Sequence, residues 1–129
     1  MKTALTVARL ALMGSGGLLL LLGLIIWTGS GDALIPVHAA AGSVLVLSLW
    51  TIVLIASRNG CPVRIVAAIL TWSLAVVAFG LAQSGLLEGD WHWTVQVLHL
   101  VASMSLVGIG QGLVIAVHRP ERRFAPAAQ

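Results

Sequence analysis

The chain has 129 residues, of which 59% are hydrophobic and only 9% are charged, and its mean hydropathy is +1.04. A soluble domain of this size could not bury so much apolar surface, so the composition indicates a membrane protein whose main surroundings are lipid. The formal net charge is +3, but no basic patch is interleaved with aromatic side chains, which argues against nucleic acid as a partner.

Four apolar runs are each long enough to cross a membrane as a helix, which takes roughly 20 residues. In chain order, the predicted spans are about 3–28, 36–57, 63–84 and 93–118. The linkers between them are short, so neighbouring helices should run antiparallel. The sequence therefore predicts an all-α membrane protein, a single domain over 1–129 built as an up-down-up-down four-helix transmembrane bundle, with a basic cytoplasmic tail over 119–129.

The first span also has features of a secretory signal peptide. Lys2 and Arg9 could form the basic region before the apolar run LLLLLGLII, and Gly31-Asp32-Ala33 offers a small-residue cleavage site. We expect the segment to be retained as a true span.

The charged residues predict the orientation of the bundle. The basic residues lie at the start of span one, around the middle linker and after span four: Lys2, Arg9, Arg58, Arg64, Arg119, Arg122 and Arg123. The other two linkers carry only the acidic residues Asp32, Glu88 and Asp90. The positive-inside rule then places both termini in the cytoplasm, and the chain in the inner (cytoplasmic) membrane of the cell as a multi-pass protein. Trp27, Trp91 and Trp93 would form the aromatic belt at the outer interface.

Two of the four histidines lie inside predicted spans. His38 follows Asp32 by six residues and His99 follows Asp90 by nine, so both should lie roughly two helical turns below the outer surface. Ionisable residues inside a membrane are costly and usually face a partner or a cofactor. An interhelical hydrogen bond would explain one such histidine, whereas two at matched depth on helices of the same direction favour a shared ligand.

The other two histidines and the single cysteine have simpler explanations. His92 lies in the outer linker beside two tryptophans, as an interfacial polar residue would. His118 ends the fourth span next to Arg119, where a cation suits both the helix C-terminus and the cytoplasmic surface. Cys61 has no second cysteine with which to form an internal disulfide or a Cys-x-x-Cys metal site.

Spans two and four lie across the diagonal of such a bundle, so two histidines on them can approach a flat macrocycle from opposite faces. Gly42 and Ser103 each lie four residues after a histidine, on the same helical face, where small side chains leave room for a porphyrin edge. The prediction is one heme b, with His38 and His99 as the axial ligands of the iron and with Gly42 and Ser103 lining the cofactor. The alternative is close helix packing through the small residues, with hydrogen-bonded histidines.

Other ligand sets fit the sequence less well. A zinc site normally takes three or four cysteine, histidine or carboxylate ligands, and no carboxylate lies in any span. Heme iron needs only two protein ligands, and hydrogen bonds to the outer imidazole nitrogens would tune it. Ser43, Ser103, Gln83 and Gln96 are the candidate hydrogen-bond partners.

The two halves of the chain share one plan, in which a span and an acidic outer linker precede a span with a histidine near its start. The segments VHAAAGSVLVL and LHLVASMSLVG align without gaps at His38 and His99. This layout resembles the four-helix halves of heme A synthase, and it is similar in outline to small bis-histidine b-type cytochrome membrane subunits. The sequence departs from the Glu-x-x-His-Arg motif of heme A synthase, with Ile35 and Ala39 at the corresponding positions, and it lacks the paired outer-linker cysteines. The resemblance therefore implies heme binding rather than heme oxygenation.

These features favour a heme b electron-transfer protein that is a subunit of a larger membrane redox complex and exchanges electrons with quinone or with a partner at the outer surface. The alternative is a cofactor-free structural or assembly subunit of a membrane complex. A transporter fits less well, because the spans contain no acidic residues. Whether the chain is an enzyme stays open; the sequence favours a non-catalytic electron-transfer subunit and suggests no catalytic residue.

Overall fold

The computed structural model describes residues 2–29, 31–87 and 89–118, and most of them are helical. The long helices are α1 (Lys2–Trp27), α2 (Ile35–Arg58), α3 (Val63–Ala82) and α4 (His92–His118). Single-turn 3₁₀ helices at Asp32–Leu34 and Gln83–Gly85 lie before α2 and after α3. All four long helices are apolar enough and long enough to cross a membrane, which confirms the prediction of an all-helical protein with four apolar helices. The expected basic tail, 119–129, lies outside the described residues.

Proline and glycine residues set the helix ends around α2. Pro36 lies in the first turn of α2, where its missing N–H would have had no partner within the helix. Gly60 follows the end of α2 with a φ of +89°, a left-handed conformation that costs glycine little. Pro62 is extended, with φ −57° and ψ 136°, and directly precedes α3. The four-residue connection between α2 and α3 therefore follows from its own sequence, Asn-Gly-Cys-Pro.

The contacts between helices define a closed bundle. Helices α2 and α4 contact each other, and each also contacts both α1 and α3, whereas the described residues of α1 and α3 do not meet. The line from α2 to α4 is therefore the short diagonal of the bundle. Gly23, near the end of α1, faces His38, near the start of α2. Leu12, which lies earlier in α1, contacts Gly110, which lies late in α4.

The packed core extends from one end of this bundle through the middle of the helices. Its fully buried side chains include Leu12, Leu49, Ile52 and Leu106. The other end comprises the last turns of α1 and α3 and the first turns of α2 and α4, and we call it the histidine end because His38 and His99 lie there. The buried hydrophobic residues described at the histidine end stand apart from the core cluster: Leu22, Ala41 and Val95. The cluster of buried hydrophobic residues therefore does not extend to the two histidines.

Two tryptophan–serine hydrogen bonds connect α3 to its neighbours. Trp50 Nε1 of α2 donates to Ser73 Oγ, and Trp72 Nε1 of α3 donates to Ser105 Oγ of α4, both at 2.9 Å. Helix α3 is the least buried of the four helices. Hydrogen bonds between helices in lipid are worth on the order of 1 kcal/mol each, so these two help to hold a helix that has few buried side chains.

Candidate functional site

His99 is fixed by groups from α3 and from its own helix. Gly80 lies so close to the imidazole that a Cβ built on it would be 2.6 Å from Cε1 of His99. The ring of Phe79 packs at 5.9 Å between centroids with an angle of 51° between the ring planes, within the range that aromatic pairs prefer. Ser103 Oγ lies 3.5 Å from Nε2, at the long limit of a hydrogen bond. These contacts hold the partly buried ring against α3.

His38 has a similar setting on the other side of the bundle. It lies in the first turn of α2 and is partly buried, and Gly23 of α1 faces it. A Cβ built on Gly23 would be 3.6 Å from Cε1 of His38, an ordinary van der Waals contact. In both halves of the chain, therefore, a glycine near the end of one helix faces the histidine near the start of the next.

Both imidazoles have a ring nitrogen that the protein does not use. Nδ1 of His38 and Nδ1 of His99 are buried and have no hydrogen-bond partner among the described groups. A neutral imidazole has one donor and one acceptor nitrogen, and leaving a buried polar group without a partner costs about 1–3 kcal/mol. Together with Nε2 of Gln111 on α4, these two nitrogens are the buried side-chain nitrogens for which the described groups offer no partner.

The fold brings these two residues together from distant parts of the sequence. They lie on the two helices of the short diagonal, at the same end of the bundle. The sequence singled out this pair from the matched depth of the two residues, and the structure places the pair in one region.

The small and polar residues expected near the histidines have varied surroundings. A Cβ built on Gly42 would meet nothing within 4 Å, so there is open space beside that position. Ser103 contacts His99, whereas Ser43 Oγ donates to the backbone oxygen of Ala39 in its own helix at 3.1 Å. Among the described side chains, no hydrogen bond joins a histidine to either glutamine considered from the sequence, Gln83 or Gln96.

The two remaining histidines have local partners. His92 Nδ1 lies 3.1 Å from the backbone oxygen of Leu86, in the connection before α4. His118 Nδ1 lies 2.7 Å from the backbone oxygen of Val114, one turn earlier in α4. In both of these rings, therefore, Nδ1 has a hydrogen-bond partner, which Nδ1 of His38 and Nδ1 of His99 lack.

The two imidazoles of His38 and His99 suit some metal sites better than others. Within residues 2–29, 31–87 and 89–118, no group of three or more His, Cys, Asp or Glu side chains could hold a metal ion. Zinc sites are built from such groups, whereas heme iron takes two axial protein ligands, for which imidazole nitrogens are suited. The buried, unpartnered nitrogens of His38 and His99 and the open space beside Gly42 fit a heme with two histidine ligands.

An open groove of about 720 Å³ lies elsewhere, between α1 and α2 towards the end remote from the histidines. Its lining is almost wholly apolar and includes neither histidine: Thr3, Ala4, Val7, Ala8, Ala11, Val44, Leu47, Ser48 and Thr51. The groove is therefore separate from the histidine site.

Sequence reasoning missed Gly23, Gly80 and Phe79, which contact the two imidazoles. Glycines are frequent in membrane helices, and their spacing does not reveal which residue of another helix they face. The similarity between the two halves of the chain could have helped to find these residues. It places an equivalent helix before each histidine, and Gly23 and Gly80 lie on those two helices. Comparisons with known protein families, with curated proteins and with solved structures find no match for this chain.

Proposed function

We propose that this chain is an integral membrane electron-transfer protein that binds one heme b between His38 and His99. The observation that carries the proposal is the pair of partly buried imidazoles, each with a buried, unpartnered Nδ1, at the end of the bundle that the buried core cluster does not reach. Such groups are costly inside a membrane, and binding a cofactor there would offset the cost. When bound, heme supplies one-electron redox chemistry.

The side chains around the pair have distinct roles in this proposal. His38 and His99 hold the iron, one from α2 and one from α4. Gly80 and Phe79 orient the ring of His99, since both lie against it. The Ser103 hydroxyl approaches Nε2 of His99 only at 3.5 Å, so it restrains the ring weakly and leaves Nδ1 as the unpartnered nitrogen. Open space beside Gly42 accommodates the edge of the macrocycle.

We further propose that the bundle runs up-down-up-down in the inner membrane, with both termini in the cytoplasm and the histidine end outside. Exposed basic residues at the end remote from the histidines support this orientation: Lys2, Arg58 and Arg64. Exposed tryptophans at the histidine end also support it: Trp27, Trp91 and Trp93. The heme would then lie near the outer surface.

A single heme near one surface does not span the membrane, so its electron partner is a quinone or a redox protein at the outer surface. Helix α3 supports a place within a larger redox complex, because it is the least buried helix and exposes Leu74 (55%) and Leu81 (78%) to the surroundings. Such a surface suits lipid or a helix of a neighbouring subunit.

The second candidate is a cofactor-free structural or assembly subunit. It is favoured by the direct contact between α2 and α4 and by the Ser103 contact to His99, which together leave the histidines as packing groups. Under this proposal the protein is colourless, and its histidines affect stability alone.

Purification in mild detergent separates the two candidates. Heme and iron should be present at about one per chain, with a reduced-minus-oxidised spectrum of the b type. His38→Ala and His99→Ala should each lose the heme, while His92→Ala, the matched control with a local hydrogen bond, should keep it. A folded wild-type protein that contains no heme after expression with ample heme supply would contradict the first candidate.

A further inference from the structure

A second polar pair, at the surface of the bundle, joins its first and last helices. Arg9 Nε of α1 donates a hydrogen bond of 3.0 Å to Oε1 of Gln111 on α4. Arg9 lies seven residues after Lys2, the first residue of α1, and hence roughly 10 Å along the helix axis from that residue. A cation at this depth in an apolar helix is costly unless an acceptor is within reach.

Hydrogen bonding to Gln111 leaves most of the guanidinium unused. An arginine side chain has five N–H donors and no acceptor, and the bond to Gln111 takes only the one on Nε. Among the described residues, no acceptor contacts the two terminal nitrogens, and Arg9 is exposed. Gln111 thereby fixes the plane of the guanidinium, while its own Nε2 is buried and also lacks a partner.

The surroundings of Arg9 are cationic and apolar. Lys2, Arg58 and Arg64 are exposed at the same end of the bundle. Of the four acidic residues of the sequence, Asp32 and Asp90 lie at the histidine end, while Glu88 and Glu121 lie outside the described residues. Leu10 (67%) and Met13 (49%), next to Arg9 on α1, are exposed apolar side chains. An anion that binds here would therefore meet hydrocarbon on its other side.

We propose that Arg9, positioned by Gln111, binds the phosphate of an anionic phospholipid on the exposed surface where α1 meets α4. Arginine pairs with phosphate through two parallel N–H donors, and basic pockets between membrane helices on the cytoplasmic side are suited to anionic headgroups. The exposed apolar side chains beside Arg9 favour a phosphate that carries acyl chains over free phosphate. This proposal is independent of heme binding.

Native mass spectrometry of the full chain in detergent tests it. The probes are phosphatidylglycerol, phosphatidylcholine and inorganic phosphate, each titrated against the delipidated protein. The wild type should retain one phosphatidylglycerol more tightly than phosphatidylcholine. Arg9→Gln should weaken phosphatidylglycerol binding by about tenfold or more, as expected for the loss of a charge-assisted bidentate contact. Arg64→Gln, which removes an exposed cation at the same end, should change it little.

Two further variants separate a site from a general charge effect. Gln111→Leu keeps the charge of Arg9 but releases its guanidinium, and Arg9→Lys keeps a cation without the fork, so both should weaken phosphatidylglycerol binding several-fold. Circular dichroism checks that each variant is folded, and these two stand in for Arg9→Gln if it does not fold. Equal binding by Arg64→Gln and Arg9→Gln, or unchanged binding by both Gln111→Leu and Arg9→Lys, would overturn the proposal. Competition by inorganic phosphate as strong as that by the lipid would overturn the assignment to phospholipid.

Discussion

Gly80 of α3 lies directly against His99 of α4, so close that the smallest side chain would collide with the imidazole. A Cβ at position 80 would be 2.6 Å from Cε1, 3.2 Å from Nε2 and 3.3 Å from Nδ1 of His99. The ring as a whole would have to move, because its whole edge meets the added methyl group. The orientation of a proposed heme ligand therefore depends on a glycine of the neighbouring helix.

Substituting this glycine should weaken heme binding. Gly80→Ala forces the His99 ring out of its position, and overpacking of this kind costs about 1–3 kcal/mol, so heme affinity should fall by about tenfold or more. Gly23→Ala is the matched control, because its Cβ would make an ordinary contact of 3.6 Å with His38. Heme titration of the two apoproteins, followed by absorbance, measures the difference. Equal affinities in the two variants would show that the His99 ring position does not matter to the cofactor.

Substituting a different glycine, Gly110, should affect the stability of the packed core. An added Cβ on Gly110 would collide with Leu12 and lie 3.3 Å from Leu49, and both leucines are fully buried, so neither can move freely. Gly110→Ala should therefore destabilise the protein by about 1–3 kcal/mol. Gly112→Ala is the control, since a Cβ there meets nothing within 4 Å. Thermal unfolding in detergent compares the two, and a melting temperature for Gly110→Ala at or above that of Gly112→Ala would be contrary to expectation.

The proposed orientation can be tested with reporter fusions. Alkaline phosphatase joined after Asp90 should be active, because that connection is expected outside, while a fusion after Asn59 should be inactive. A green fluorescent protein joined at the same two points should give the reverse pattern. Phosphatase activity after Asn59 together with fluorescence after Asp90 would show that the bundle has the opposite orientation in the membrane.

Cys61 should react slowly with alkylating reagents. It lies in the connection between α2 and α3, and burial raises the pKa of its thiol, so the thiolate is scarcer than usual at neutral pH. Burial of the neutral thiol stabilises the fold below the ordinary thiol pKa, and this contribution is lost as the pH rises through the raised pKa. Iodoacetamide labelling at pH 7, followed by mass spectrometry, should be much slower than in denaturing detergent. Equal rates would mean that the thiol is accessible in the folded protein.

Much of the fold was predictable because lipid imposes a simple requirement. A chain that crosses a membrane must satisfy its backbone within each segment, so four apolar runs of sufficient length predict four helices. The location of His38 and His99 at the same end of the bundle was also predictable, because both lie near the starts of alternate spans. Those two inferences use only the order and length of apolar runs, which the sequence displays directly.

The contacts across helices were not predictable in the same way. Gly80 and Gly23 face histidines, while Gly112 faces open space, and nothing in the local sequence separates these glycines. The hydrogen bond between Arg9 and Gln111 joins the first and last helices and depends on how α1 and α4 are rotated towards each other. Rotation of a helix about its axis is set by packing against its neighbours, which a weakly amphipathic membrane helix does not reveal.

The central claim is that two histidines hold one heme, and electron paramagnetic resonance of the oxidised protein tests it most directly. The wild type should give the low-spin ferric signal of two imidazole ligands. His38→Gly and His99→Gly should each lose that signal, and added imidazole should restore it by occupying the space of the missing side chain. A purified protein without heme, or a low-spin signal that persists in either variant without added imidazole, would contradict the assignment of His38 and His99 as the ligands.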